Sequence, residues 1–363
     1  MEARTLTTNR IKTRKPDDWH VHFRWAYNSD GMLYRVFPYT ACFFGRALLM
    51  PNLTDMGMVV TAEHLIRYRK LVQEVQQHYL RYCKGTKLFG KFWTSQSFMP
   101  EFSIRLTPKT TSDMLLAAKV AGAIVAKVYP DGVTTGSEGG ISDFKALHPL
   151  LQAAAEIDLP VSWHPELPGA PPLTAEQQFI PVLSEVVSKY PGLRIVIEHL
   201  SSQMMVDFVW GCPKTVAATI TPQHLILTAN DVFGQPHNFC KPVAKLPNDR
   251  EAVIAAAISG DPRFFFGSDT APHPRANKEG AKAAAGVFSA PALSAVIQVF
   301  EENHALDKLE DFWSRFGAEF YGFPLNQETI EFVRESWEMP LECSGIVPFL
   351  AGKTLDWQVE SVQ

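Results

Sequence analysis

The sequence predicts an α/β fold, a closed (β/α)8 barrel of eight parallel strands with a C-terminal extension. Three observations carry this reading. Short apolar runs rich in β-branched and aromatic residues recur along the chain, longer stretches of helical period separate them, and a length of 363 residues suits one barrel with additions. No internal repeat or low-complexity segment breaks the pattern. Residues 1–363 are therefore read as one domain, with the barrel over about 15–304 and the extension over about 305–363 packed on it.

The strands are taken in order. "WHVHF" (19–23) follows a basic N-terminus, "MEARTLTTNRIKTRK", read as a frayed tail leading into it. "RALLMP" (46–51) comes next, and behind it "TAEHLIRYRKLVQEVQQHY" sets Tyr68, Val72, Val75 and Tyr79 at helical spacing after a Thr61 cap. "KFWTSQSFM" (91–99), "AIVAKVYP" (123–130) and "PVSWHPE" (160–166) supply strands three to five; "RIVIEHL" (194–200), "VAATITPQH" (216–224) and "RFFFGSD" (263–269) complete the eight. Helices are expected over 111–121, 142–157, 174–190, 202–210, 248–259 and 290–303, several opened by a capping Ser, Thr, Asp or Asn. "LEDFWSRFGAEFYG" and "VPFLAGKTLDWQV" read as helical and strand-like parts of the extension.

Hydrophobic residues make up 46% and charged residues 20%, enough to bury a large core. A net charge of −4 with dispersed lysines and arginines leaves no basic footprint for a polyanion, so the expected partner is a small molecule and not nucleic acid. Five cysteines at wide spacing, with no C-x-x-C pair, read as reduced thiols of a cytoplasmic protein. The N-terminus lacks the apolar centre of a signal peptide, and no run is long enough to span a membrane.

Unusual polar residues fall at the ends of these runs: His20 and His22 in the first, Asn52 past the second, Lys127 in the fourth, His164 in the fifth, His199 in the sixth and Asp269 in the eighth. In a barrel those ends converge at one mouth. A lone strand histidine is ordinarily a satisfied polar group. Gathered imidazoles and carboxylates in a low-dielectric mouth, however, require compensating charge, which a cation supplies. The two-residue period lets His20 and His22 point inward together while Val21 packs outward. Imidazole nitrogen with carboxylate oxygen suits zinc, and the absence of a neighbouring cysteine argues against a closed structural site. Four histidines, an aspartate and a lysine exceed the needs of one open site, so two metals are the more natural number. A lysine that has reacted with carbon dioxide would be an anionic bridge between them.

"KPDDWHVHFR", "MPNLT", "AKVYPDGVTTGS", "WHPE", "EHL", "TITPQHL" and "GSDTAPH" together resemble the bacterial-type (class II) dihydroorotases of the amidohydrolase superfamily, over about residues 15–352. The resemblance implies a metal-dependent amidohydrolase barrel with two zinc ions. His20, His22 and Asp269 would ligate one, His164 and His199 the other, with carboxylated Lys127 and a hydroxide between them. It implies reversible cyclisation of N-carbamoyl-L-aspartate to L-dihydroorotate in pyrimidine synthesis, with Asp269 as the catalytic proton carrier. Arg24, Asn52 and His273 would hold the ring carboxylate. Thr134 and Thr135 would contact substrate from a loop, and Lys241 and Ala285 would do so largely through main-chain groups. A homodimer is implied as well.

Two departures from the family pattern stand out: "WAYNS" intervenes between Arg24 and Asp30-Gly31, and position 241 is a lysine where an apolar residue is expected. Two rival readings remain open on sequence grounds. One is another cyclic-amide hydrolase of the hydantoinase, dihydropyrimidinase or allantoinase type, against which Arg24 argues, because an uncharged ring would leave its guanidinium unpaired. The other is a non-catalytic dihydroorotase-like scaffold, against which the complete ligand set argues.

Overall fold

A computed structural model describes residues 9–24, 31–53, 58–82, 87–88, 91–92 and 98–362. Asp17–Val21, Arg46–Leu49, Met99–Arg105, Ala123–Val128, Val161–Trp163, Ile195–Ile197, Val216–Ile220 and Phe264–Phe266 form one eight-stranded sheet in sequence order. Every neighbouring pair is parallel. The first and last strands approach through a parallel bridge between Val21 and Thr270, and the His22 N–H donates to the Thr270 carbonyl at 2.8 Å. The strand ends that carry the polar residues therefore share one mouth.

The third strand lies further along the chain than 91–99. Its residues are "MPEFSIR", Met99–Arg105, while Lys91–Phe92 pairs antiparallel with Lys87–Leu88; positions 93–97 lie outside the described residues. Pro100 and Glu101 hide this strand from an apolar count. Tertiary pairing accommodates them: Pro100 sits opposite Ala47 and Glu101 opposite Leu48. The seventh run is two elements, since the strand ends at Ile220 and the Thr221 hydroxyl accepts the His224 N–H at 3.1 Å to open a short helix, Pro222–Ile226.

The helices Ala62–Tyr82, Ser112–Val120, His148–Glu156, Ile180–Lys189, Gln203–Gly211, Pro247–Ile258 and Leu293–Glu302 follow the expected segments. Tyr68, Val72, Val75 and Tyr79 are buried on one face of the first of them, where the amphipathic stripe drives packing. An unforeseen helix, Met32–Phe43, carries an internal Pro38 and buries eight of its residues. Burial around most of its circumference erases the polar stripe that periodicity needs.

Inside the barrel, Leu48, Val125, Val196, Ala217 and Phe265 pack together, while Ala126 and Val128 face the surrounding helices. A register shift between Asp18 and Val21 departs from simple alternation. It puts Trp19 in the inner cluster and Val21 in the outer one, as a bulge does when one residue is added to a strand.

The extension closes the other end. Phe316–Tyr321 lays Phe316, Ala318 and Tyr321 into the inner cluster, with Tyr321 stacked on Trp19 at 4.6 Å between ring centroids. Thr329–Glu338 and Thr354–Val362 form an antiparallel pair that Arg10–Arg14 joins as a third strand. The N-terminal tail is thus ordered from Arg10, contrary to the reading of a frayed lead-in, because Ile330 and Phe332 provide a buried edge for it. Residues 1–8 lie outside the described residues.

The seal depends on close approach at Gly317, where an added Cβ would lie 2.0 Å from Trp19 Nε1. Gly317→Ala should cost about 1–3 kcal/mol through overpacking and lower the melting temperature by several degrees. Calorimetry that found an unchanged transition would refute a tight seal at this position.

Candidate active site

The register shift in the first strand and the short eighth strand bring His20, His22 and Asp269 together. His20 Nε2 lies 3.1 Å from His22 Nε2, and Asp269 Oδ1 lies 3.3 Å and 3.2 Å from the two nitrogens. Those separations match the edges of a tetrahedron, about 3.3 Å for ligands at the usual zinc distances. The residues fit a cation for a second reason: His199 Nδ1 is buried without a hydrogen-bond partner, which a dry polar cluster does not tolerate unaided.

His199 packs against both neighbours, with ring centroids 5.2 Å from His20 and 4.7 Å from His164. His164 Nε2 lies 2.8 Å from Glu166 Oε2, which leaves Nδ1 as the nitrogen available to a metal. A carboxylate behind a ligating imidazole fixes its tautomer and orientation. Lys127 is fully buried with its Nζ against Glu198 Oε2, which also lies 3.6 Å from His20 Nδ1 and 3.9 Å from His199 Nε2. All the expected metal-site residues are therefore brought together.

Glu198 and Glu166 were not anticipated from sequence. The signal for Glu166 was its position two residues past His164, on the same side of an extended segment. Glu198 was masked by strand alternation, which sends neighbours 198 and 199 to opposite faces. His199 escapes that rule with φ of 44°, and Arg24 and Asp269 are also left-handed, at 61° and 46°. Such conformations are strained for non-glycine residues and cluster where a site re-aims side chains.

Burial sets the protonation states. It lowers His20, His22 and His199 well below the ordinary histidine range and lowers His164 as well, so the imidazoles stand neutral, the form that binds metal. It lowers the Lys127 amine far below its ordinary value and pushes the Asp269 carboxyl up to about 6. Burial pushes Glu166 up too, but the His164 hydrogen bond and the charges of Lys241 and Lys245 bring it below the usual carboxylate range.

A small cavity opens over this cluster. Arg24, Asn52, Thr134 and Thr135 line it along with the histidines, and Lys241 and Ala285 form part of the wall. His273 stands behind: its Nε2 lies 3.2 Å from Arg24 Nη2 and 3.0 Å from the Ala285 carbonyl oxygen, and its tautomer decides which of the two bonds forms. Asn52 Nδ2 donates to the Thr135 carbonyl at 3.1 Å, and the Thr135 hydroxyl donates to the Ala285 carbonyl at 3.3 Å. The inserted "WAYNS" and Asp30 lie outside the described residues.

The amidohydrolase family profile matches residues 103–305, more than half of the chain. A dihydroorotase of Marinomonas sp. is 39% identical over 97% of this chain and 100% of its own length. The chain belongs to the dihydroorotases. As a dihydroorotase it is a hydrolase acting on cyclic amides, and membership implies a metal cofactor. The crystal structure of Saccharomyces cerevisiae dihydroorotase, in complex with 5-fluoroorotic acid, superposes with a TM-score of 0.85 at 33% identity, covering 97% of this chain and 99% of that one. The L-hydantoinase of Arthrobacter aurescens superposes at 0.77 but is only 14% identical, covering 97% of this chain and 85% of that one, and shares the fold alone.

Glu166→Gln removes the anion behind His164. The variant should bind its metal roughly 10–100-fold more weakly, measured by competition with a chelator. Undiminished metal retention would show that Glu166 does not support the ligand.

Proposed function

We propose that this dihydroorotase interconverts N-carbamoyl-L-aspartate and L-dihydroorotate using two zinc ions held by His20, His22, His164, His199 and Asp269, with carboxylated Lys127 between them. One observation carries the reading: His20, His22, His164, His199 and Asp269 line one cavity together with Arg24. The uncharged amine favoured by burial at Lys127 is the form that reacts with carbon dioxide. When bound, the two ions lower the pKa of a bound water and polarise the ring amide carbonyl.

The chain's own groups do the rest. Arg24 grips the ring carboxylate through two parallel hydrogen bonds, which a fork-shaped guanidinium offers and a lysine does not. His273, neutral because burial and then the Arg24 charge bring it down to about 3, supports that guanidinium as a hydrogen-bond acceptor. Asn52 offers a buried amide oxygen with no partner of its own. Thr134 and Thr135 cover the ring, with Lys241 and Ala285 beside it. Asp269 accepts the proton of the attacking water and delivers it to the ring nitrogen as the C–N bond breaks. The free thiols of Cys42, Cys212, Cys240 and Cys343 suit a reducing cytoplasm, and a homodimer is part of the same proposal.

Turnover of dihydroorotate, hydantoin and dihydrouracil by the purified protein tests the substrate. Dihydroorotate should dominate; a preference for either uncharged ring would sink the assignment. Elemental analysis should find about two zinc ions per chain, as the dinuclear reading requires. Asp269→Ala should keep a native circular dichroism spectrum while kcat falls by roughly a hundredfold or more. Near-normal turnover in that variant would remove Asp269 from the proton path.

A further inference from the structure

Arg105 ends the third barrel strand and is fully buried. Its guanidinium is turned toward the loop that follows the fourth strand. Nη1 donates to the Gly136 carbonyl at 2.8 Å, and Nη2 donates to the Ser137 and Glu138 carbonyls at 3.0 Å each. Its Cζ lies 5.5 Å from the ring centroid of Tyr129, which lines the cavity. Three successive carbonyls are thus gathered by one rigid fork.

The same loop carries Thr134 and Thr135, and its internal bonds, Ser137 Oγ with the Thr134 main chain and the Gly140 N–H with Asp131 Oδ1, join loop residues to one another without fixing them to the barrel. Gly132, Gly136 and Gly139 turn it at φ of 68°, 70° and 68°, and glycine loses more conformational freedom on ordering than any other residue. A buried guanidinium is tolerated only with good acceptors. Here they are loop carbonyls, so displacing the loop would strand the cation, and losing the cation would loosen the loop to what Asn52 and Ala285 hold at Thr135.

We propose that Arg105 is a positioning residue for the reaction, a cationic anchor that holds the 131–140 loop so that Thr134 and Thr135 stand over the bound ring. This rests on the reading of those threonines as substrate contacts. Arg105 touches neither the ring nor the donor cluster and acts through the loop.

The test uses the zinc-loaded enzyme and two readouts, amide hydrogen exchange over residues 134–140 and steady-state kinetics with dihydroorotate. Arg105→Gln should accelerate exchange in that segment and raise KM roughly tenfold or more, with zinc content unchanged. Arg105→Lys keeps the charge without the fork, so it should give intermediate exchange and KM; it also serves if the glutamine variant fails to fold. Combining Thr135→Ala with Arg105→Gln should raise KM little beyond Arg105→Gln alone, because both act on one contact. Raised KM in Thr135→Ala together with wild-type exchange and KM in the Arg105 variants would overturn the anchor while sparing the threonine reading. Wild-type KM in Thr135→Ala would overturn that reading, and the anchor's role in the reaction with it.

Discussion

Neutral imidazoles and carboxylates cannot be gathered in a dry cavity without a cation to receive their lone pairs. His20, His22 and Asp269 present ligand atoms 3.1–3.3 Å apart, and His199 Nδ1 nearby is buried with no hydrogen-bond partner. In the metal-free chain such a cluster is destabilising, since each unpaired buried polar group forfeits its hydration. A bound cation reverses the sign. The mouth of the barrel is therefore the region where stability is given up for chemistry, and the inner cluster sealed by Trp19 and Tyr321 lies at the opposite end.

Local distortions aim the side chains. The register shift after Asp18 allows Trp19 to enter the inner cluster without turning the His20–His22 pair away from Asp269. Asp18 Oδ1 accepts from the N–H groups of both His20 and Ser268, at 3.2 and 2.7 Å, and so ties the first strand to the segment that carries Asp269. Left-handed backbone at Arg24, His199 and Asp269 completes the aim. Strain of this sort persists only where the surrounding structure over-determines it.

Buried cations hold main chain elsewhere around the cavity. Arg105 gathers carbonyls of the threonine-bearing loop, and the Lys278 ammonium spends its three protons on the Phe239, Ala284 and Gly286 carbonyls, on either side of Ala285. The two walls meet where Thr135 donates to Ala285. Backbone held in this way presents fixed dipoles to a ligand, an arrangement that needs little reorganisation when charge develops in the reaction.

Much of this was legible before any coordinates. Seven of the eight strands and the histidine, lysine and aspartate positions could be read from apolar runs and their polar ends, because a barrel brings all strand ends to one mouth whatever the loops do. The third strand was not, since Pro100 and Glu101 gain their place only by pairing with Arg46–Leu49. Helix Met32–Phe43 lacks a polar stripe because it is buried on most sides, and the Arg10–Arg14 strand exists only because a partner more than 300 residues away offers an edge. Glu198 and Arg105 belong to the same class: their roles depend on backbone direction and on neighbours distant in sequence. The sequence by itself determined the fold class and the chemical types that meet at its mouth, since side-chain period and composition are local properties. Only the tertiary structure decided which of those atoms face one another, because a bulge and a few left-handed residues set direction and leave no trace in residue type.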